Sequence, residues 1–317
     1  ETAPKISMQQ QHDVIAPGQI ALARNTLKNR GYHEVITYSF VDRKTHDSLT
    51  GVSDPIVLDN PISSELSVMR ASLWPGLINT YKYNVNRQQS RVRIFEHGLC
   101  FSRGEQIEQT MKFACLISGD ALPEQWGEKS RALDFYDIKS DVQALLAQHF
   151  DVQDITFSAV NNLALHPGQS AKILHGDVEL GCLGRIHPGF VKELGVSENV
   201  YLCELNFDLI RRATRKTSYS EFSKFPENRR DIALVIKEDI SAGSLISHIQ
   251  GLSLASLKNA YVFDTYNGEG ITKGFKSYTI ALIIQDLDKT LLDEDVAKIV
   301  KTVLNSLEDK FEAILRD

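Results

Sequence analysis

A chain of 317 residues with 42% hydrophobic content is long enough for two globular domains. Its formal net charge of −6 excludes a chain-wide attraction to nucleic acid, so any RNA affinity must come from a local patch. No apolar run is long enough to cross a bilayer and no signal-peptide pattern opens the chain, which predicts a cytoplasmic protein without membrane contact. The start at Glu1, without an initiator Met, predicts a processed or excised piece.

In chain order, residues 16–30 show helical spacing (Ile20, Ala23, Leu27), with Pro17 in the first turn and Gly31 as the stop. Residues 33–41 alternate as a strand. Residues 72–87 predict a second helix with Leu73, Leu77, Ile78 and Tyr81 on one face, and Pro75 near its start is tolerable there. Strand patterns follow at 92–101 and 111–118, then a helix over 136–150 (Ile138, Val142, Leu145, Leu146). Further strands are expected at 155–159, 171–174, 178–183 and 200–205, with His175-Gly176-Asp177 as a tight turn. Many strands with few intervening helices favour a largely antiparallel sheet.

The last 97 residues read more cleanly: a strand at 230–236, a helix at 241–250 capped by Ser241, and strands at 257–264 and 276–284. A helix over 291–310 follows, with Thr290 and Asp293 as its expected capping box, and residues 313–316 close the sheet. The stripe Val296, Ile299, Val300, Val303, Leu304, Leu307 and Phe311 is core. This βαββαβ order is ferredoxin-like, with both helices on one face and the other face free to bind. The fold class is therefore α+β, with a front module at 1–210, a basic linker at 211–220 and a ferredoxin-like domain at 221–317. Across 208–230 stand seven cations (Arg211, Arg212, Arg215, Lys216, Lys224, Arg229, Arg230) against three acids (Asp208, Glu221, Glu227). That local excess is what a linker or an RNA-facing patch would carry.

Several eye-catching groups read as structural. Cys100, Cys115, Cys182 and Cys203 are far apart with no C-x-x-C pair, as expected of buried reduced thiols. His166-Pro167-Gly168 and His187-Pro188-Gly189 read as turns, and two histidines at that separation do not make a metal site. Asp286, Asp288, Asp293, Glu294 and Asp295 are broken by Thr290-Leu291-Leu292 and suit the first turn of a helix better than calcium. Lys273-Gly274-Phe275 starts an RNA-recognition signature that Lys276 and Ser277 then fail to continue. Trp74 and Trp126 read as core or interface anchors.

The C-terminal motifs Phe225-Pro226, Arg229-Arg230-Asp231, Phe263-Asp264-x-Tyr266-x-Gly268, Gly274-x-Lys276-Ser277, Thr290-Leu291 and Leu315-Arg316 stand in one order. In that order they resemble the anticodon-binding domain ending the β subunit of bacterial phenylalanyl-tRNA synthetases. Upstream, Gly31-Tyr32-x-Glu34-Val35-Ile36-Thr37-Tyr38-Ser39-Phe40, Asn60-Pro61-Ile62-Ser63, Phe95-Glu96-x-Gly98 and Leu183-Gly184-x-x-His187-Pro188 resemble the same subunit's synthetase-like module. The resemblance covers nearly the whole chain and implies the C-terminal part of a larger subunit, without its editing and N-terminal RNA-binding modules.

The resemblance implies a holoenzyme of two α and two β subunits in which the catalytic α subunit joins phenylalanine to tRNA with ATP and Mg2+. The front module, an inactive platform, would dock the α subunit; no cofactor, metal, DNA or membrane is expected of this part. Class II synthetases grip ATP through an aromatic-Arg-x-Glu strand, because the α-phosphate needs fixed guanidinium donors. Here Glu96 stands for the arginine and Gly98 for the acid. Gly181-Cys182-Leu183-Gly184-Arg185 is one glycine short of the second ATP motif.

A tRNA decoding phenylalanine codons begins its anticodon with guanine, whose edge offers two adjacent donors. Asp264 and Tyr266, two apart on a strand, are predicted to accept those protons and to stack on the base. Lys224, Arg229, Arg230, Lys273 and Lys276 are predicted to hold phosphates. The bland alternative has Tyr266 packing its hairpin while Asp264 caps the turn. Two other functions stay open: a regulatory ferredoxin-like module that binds a small amino acid, and a live adenylating enzyme akin to biotin ligases.

Overall fold

Alternation along β4 (Val92–Arg103) sorts the first unit's core into two layers, because Ile94 and Phe95 point to opposite faces of one sheet. The computed structural model describes residues 17–197, 199–213, 219 and 221–316. The chain divides into two compact units, Glu1–Lys216 and Thr217–Asp317. Of the expected linker, residues 214–218 and 220, with Arg215 and Lys216, lie outside the described residues.

The first unit begins with α1 (Pro17–Asn29), β1 (His33–Glu34), β2 (Phe40–Val41), α2 (Arg43–Thr50), β3 (Val68–Met69) and α3 (Trp74–Val85). After β4 come β5 (Ile107–Ser118), α4 (Phe135–Leu146), β6 (Ile155–Ala159), β7 (Leu165–His175), β8 (Val178–Ile186), α5 (Pro188–Leu194), β9 (Val200–Asn206) and α6 (Phe207–Ile210). Seven strands form one sheet in the order β1-β4-β5-β9-β8-β7-β6, antiparallel except where β1 meets β4. One face packs Phe95, Phe113 and Leu205 against Ile138, Val142, Leu145 and Leu146 of α4. The other packs Ile94, Leu116 and Leu202 against Leu73 and, from α3, Leu77, Ile78 and Tyr81.

Two expectations need correction here, and one helix had none. The strand predicted over 33–41 is two short strands in different sheets, since β1 pairs with β4 and β2 with β3. Between them the ladder is interrupted at Thr37, whose N bonds to the Glu96 side chain rather than to a strand. Residues 43–50, left unassigned by periodicity, form α2, capped by Asp42, whose carboxylate accepts from Thr45 N at 2.8 Å. His187-Pro188-Gly189 is no free turn but the start of α5, with His187 Nδ1 accepting from Gly189 N at 3.1 Å. His166 makes the same local bond to Gly168 within the irregular start of β7.

The second unit runs β10 (Asn228–Lys237), α7 (Ala242–Gly251), β11 (Leu257–Tyr266), β12 (Phe275–Ile284), α8 (Asp293–Phe311) and β13 (Ile314–Leu315). The sheet order β11-β12-β10-β13, all antiparallel, is ferredoxin-like. Ile232, Leu234, Ile236, Ile280, Leu282 and Ile284 face Leu245 and Ile249 of α7 and Val296, Val303 and Leu307 of α8. Ser241 caps α7 as expected. The predicted capping box of α8 does not form: Leu292 is the cap residue, and Asp293, Glu294 and Asp295 occupy the first turn instead. No helix among the described residues is long and apolar enough to cross a membrane.

Candidate functional site

Register decides which side chains stand on the helix-free face of the second sheet. With Ile280 and Ile232 in the core, Thr279, Ser277, Ala281, Asp231 and Arg229 face away from it. Along β11, Ala260 and Val262 pair with Leu282 and Ile280 and are core-facing, so strict alternation would send Asp264 and Tyr266 into the core as well. A bulge between Val262 and Asp264 shifts the register by one residue. Asp264 thereby lies opposite Thr279 and Tyr266 opposite Ser277, both on the open face.

The Tyr266 ring is held from three directions. Its hydroxyl donates to Glu269 O at 3.2 Å, and Arg316 lies over the ring at 5.1 Å from the centroid. Gly268 packs against the ring edge so closely that a Cβ there would sit 2.5 Å from the hydroxyl. The bland reading is thus half right: Tyr266 does pack its hairpin. Asp264 caps nothing; its exposed carboxylate makes no hydrogen bond or ion pair among the described residues. Phe263 and Tyr261 add two more half-exposed rings on the same strand, with Arg229 over Phe263 at 4.9 Å.

The predicted phosphate-holding cations are not gathered in one place. Arg229 is on the open face but is bound by Asp231 at 2.8 Å, which raises its pKa. Arg230 pairs with Leu282, hence the helix side, and reaches Asp293 at the start of α8 at 3.0 Å. Lys276 pairs with buried Ile236, donates to Glu238 O at 2.6 Å and lies over Tyr278, also away from Asp264. Lys224 and Lys273 are exposed at opposite ends of the ten-residue β12, about 30 Å apart. Sequence reading did not assign Arg316 a role, since nothing local signals that a residue after β13 reaches Tyr266 on the far edge strand.

In the first unit the residues of the degenerate ATP motif are engaged elsewhere. Glu96 is 2% exposed, accepts from Arg70 Nη1 at 2.7 Å, and accepts from Thr37 N and Oγ1 at 3.2 and 2.7 Å. Gly98 leaves room for that arginine, because a Cβ there would lie 2.3 Å from Arg70 Nη2. On the same face Lys112 donates to Glu204 at 2.6 Å, and Glu204 also accepts from Ser72 Oγ and Leu73 N. Burial depresses the lysine's affinity for protons, but Glu204 together with the neighbouring Cys100 and Cys182 outweighs it, so the pKa is raised. A triphosphate meets a buried carboxylate and filled space here, so these residues do not fit ATP or its Mg2+. Among the four thiols, all free, burial pushes Cys100 and Cys182 up to about 12, in keeping with inert core residues.

Beside this filled region lies a groove of about 360 Å³ lined by Ile36, Tyr38, Phe40, Leu66 and Tyr83. Ile36 is 92% and Tyr38 75% exposed, and Tyr83 is exposed as well. The groove also carries Thr37, Glu65, Asn79 and Thr80, so large apolar side chains stand in solvent beside a partly polar floor. Trp74 is core, whereas Trp126 is fully exposed on the 120–132 loop.

Comparison with known proteins agrees with both halves. A family model described as "Phenylalanyl tRNA synthetase beta chain CLM domain" matches residues 1–207, and one described as "Ferredoxin-fold anticodon binding domain" matches 223–316. The chain is similar to the phenylalanine–tRNA ligase beta subunit of Colwellia psychrerythraea, 41% identical over 99% of this chain and 39% of that one. The corresponding subunit of Pseudoalteromonas translucida is 42% identical over 93% of this chain and 37% of its own length. That of Pseudomonas putida is 41% identical over 94% of this chain and 38% of its own. The chain therefore spans about two-fifths of the length of these relatives.

Proposed function

The chain belongs to the phenylalanyl-tRNA synthetase β-chain family, and on that premise we propose that it is a tRNA-binding, non-adenylating part of a phenylalanine–tRNA ligase. The open face of the ferredoxin-like unit takes the anticodon. Tyr266 stacks on the first anticodon base, and the free Asp264 carboxylate beside it accepts the two protons on the guanine edge. The observation that carries this reading is the bulge, which turns both side chains out of the core together. Arg316, over the same ring, adds a cation at the stacking position.

The groove at Ile36 and Tyr38 docks the catalytic α subunit, in a holoenzyme of two α and two β subunits in the cytoplasm. ATP and Mg2+ act on the α subunit, because Glu96 and Gly98 are committed to the internal Arg70 contact. That commitment also disfavours a live adenylating enzyme. A small amino-acid sensor is disfavoured by the anticodon-binding family match and by the flat aromatic face.

Titration with tRNA(Phe) and with tRNAs altered at the first anticodon base tests the reading. Asp264→Ala is expected to bind all of them with nearly equal affinity, losing about 1–3 kcal/mol of discrimination. An unchanged preference for guanine in a folded variant would leave the face a positioning surface and remove its base-reading role.

A further inference from the structure

The segment between β1 and β2 has no strand along it, yet it alternates like one: Val35, Thr37 and Ser39 are partly covered while Ile36 and Tyr38 stand out in solvent. Val35 N donates to Phe95 O at 2.9 Å, and Arg70 N donates to Ser39 O at 2.9 Å. At the midpoint the partner is the Glu96 side chain. One of its oxygens takes Thr37 Oγ1 at 2.7 Å and the other takes Thr37 N at 3.2 Å. Arg70 Nη1 closes the triangle, donating to Glu96 at 2.7 Å and to Thr37 Oγ1 at 3.2 Å. Underneath, Gly76 in the first turn of α3 gives Thr37 its seat, since a Cβ there would lie 2.2 Å from Thr37 Oγ1.

We propose that Glu96 is a positioning residue for subunit assembly, holding Ile36 and Tyr38 outward as a preformed ridge beside the groove. The inference rests on the reading of that groove as the α-subunit dock. Two large apolar side chains on an untethered segment would fold back into the adjacent groove and hide the contact surface. A buried carboxylate that grips both the backbone and the hydroxyl of the intervening residue prevents this. The ordering of the segment then precedes binding, and association does not have to supply it. The Arg70 guanidinium keeps the carboxylate aimed, so one ion pair serves the core and the ridge together.

The test uses the β chain carrying this sequence, titrated with its α subunit, with amide exchange followed over residues 35–39. Thr37→Val keeps the shape and leaves the Glu96–Arg70 pair, but deletes the hydroxyl bond. It is expected to speed exchange of this segment and weaken α binding about fivefold to tenfold, with Thr37→Ser restoring both. Ile36→Asp tests the surface itself and is expected to weaken α binding more than Thr37→Val does. If Ile36→Asp binds α normally, the docking reading falls and this inference falls with it. If Ile36→Asp weakens binding while Thr37→Val and Thr37→Ser bind alike, the dock stands and the positioning role is overturned. Should Thr37→Val fold poorly, Thr37→Ala carries the same comparison with a smaller side chain.

Discussion

The Arg316 guanidinium lies 5.1 Å over the Tyr266 ring, although Arg316 follows β13 and Tyr266 ends β11, the two opposite edges of the four-stranded sheet. The arginine starts level with Ala233 and Thr279 and reaches across the open face to the next outward row, in which Tyr266 pairs with Ser277 and Ser277 with Val235. Its backbone is pinned at the far edge, with Arg316 N donating to Ala233 O at 2.8 Å. The ring is therefore oriented before any base arrives.

This contact predicts coupled losses in tRNA binding. Tyr266→Ala should cost about 1–3 kcal/mol through lost stacking. Arg316→Ala should cost about 0.5–2 kcal/mol, as a cation leaves the ring. The double variant should lose less than the sum, by about 0.5 kcal/mol or more. Strict additivity in a double-mutant cycle would show that Arg316 and Tyr266 act on the RNA separately.

The two lysines of the β11–β12 hairpin should behave differently. Lys273 is exposed in the loop, whereas Lys276 donates to Glu238 O and faces the helix side. Lys273→Ala is expected to weaken all tRNAs and to reduce the slope of log affinity against log salt by about 1. Lys276→Ala should leave that slope unchanged. Equal salt slopes for the two variants would contradict the assignment of faces.

Local pattern made much of this architecture legible. The spacing of Ile138, Val142, Leu145 and Leu146 matches the buried stripe of α4, and the strand expected at 155–159 is β6. The missed α2 carried a readable signal in Asp42 at its start and Gly51 at its end, the latter left-handed at φ 65°. Only His46 and Leu49 of that helix are buried, too few for hydrophobic periodicity to show it. The candidate site was legible in its residue types but not in its geometry. A one-residue bulge at 262–264 decides the face on which Asp264 and Tyr266 stand, and nothing in Val262-Phe263-Asp264 announces it. The partners of Glu96 were equally hidden: Thr37 and Arg70 are 59 and 26 residues away. The sequence showed a lost arginine; only the fold shows what the carboxylate holds.

The first unit also carries a pH dependence with a defined sign. His149 is buried edge-on to Phe207 at 6.0 Å, its Nε2 has no hydrogen-bond partner among the described residues, and burial lowers its pKa from 6.5. His97 is lowered as well, mainly by burial and further by Arg24, against the opposing pull of Glu34 and Glu96. In the unfolded chain both imidazoles take up a proton near pH 6.5, while in the folded unit they do so only at lower pH. Between those two values the unfolded state binds more protons, so stability is full above pH 6.5 and falls as the pH drops through that window. Below the folded values the loss stops growing. Each histidine contributes a slope of at most about 1.4 kcal/mol per pH unit. Both tryptophans, Trp74 and Trp126, lie in this unit, so tryptophan fluorescence during urea unfolding follows it alone. Measured at pH 7.5, 6.5 and 5.5, His149→Gln should unfold with a shallower pH dependence than the parent chain. Parallel curves for the two would mean that His149 binds its proton equally well in both states, and the buried neutral imidazole would be the wrong description.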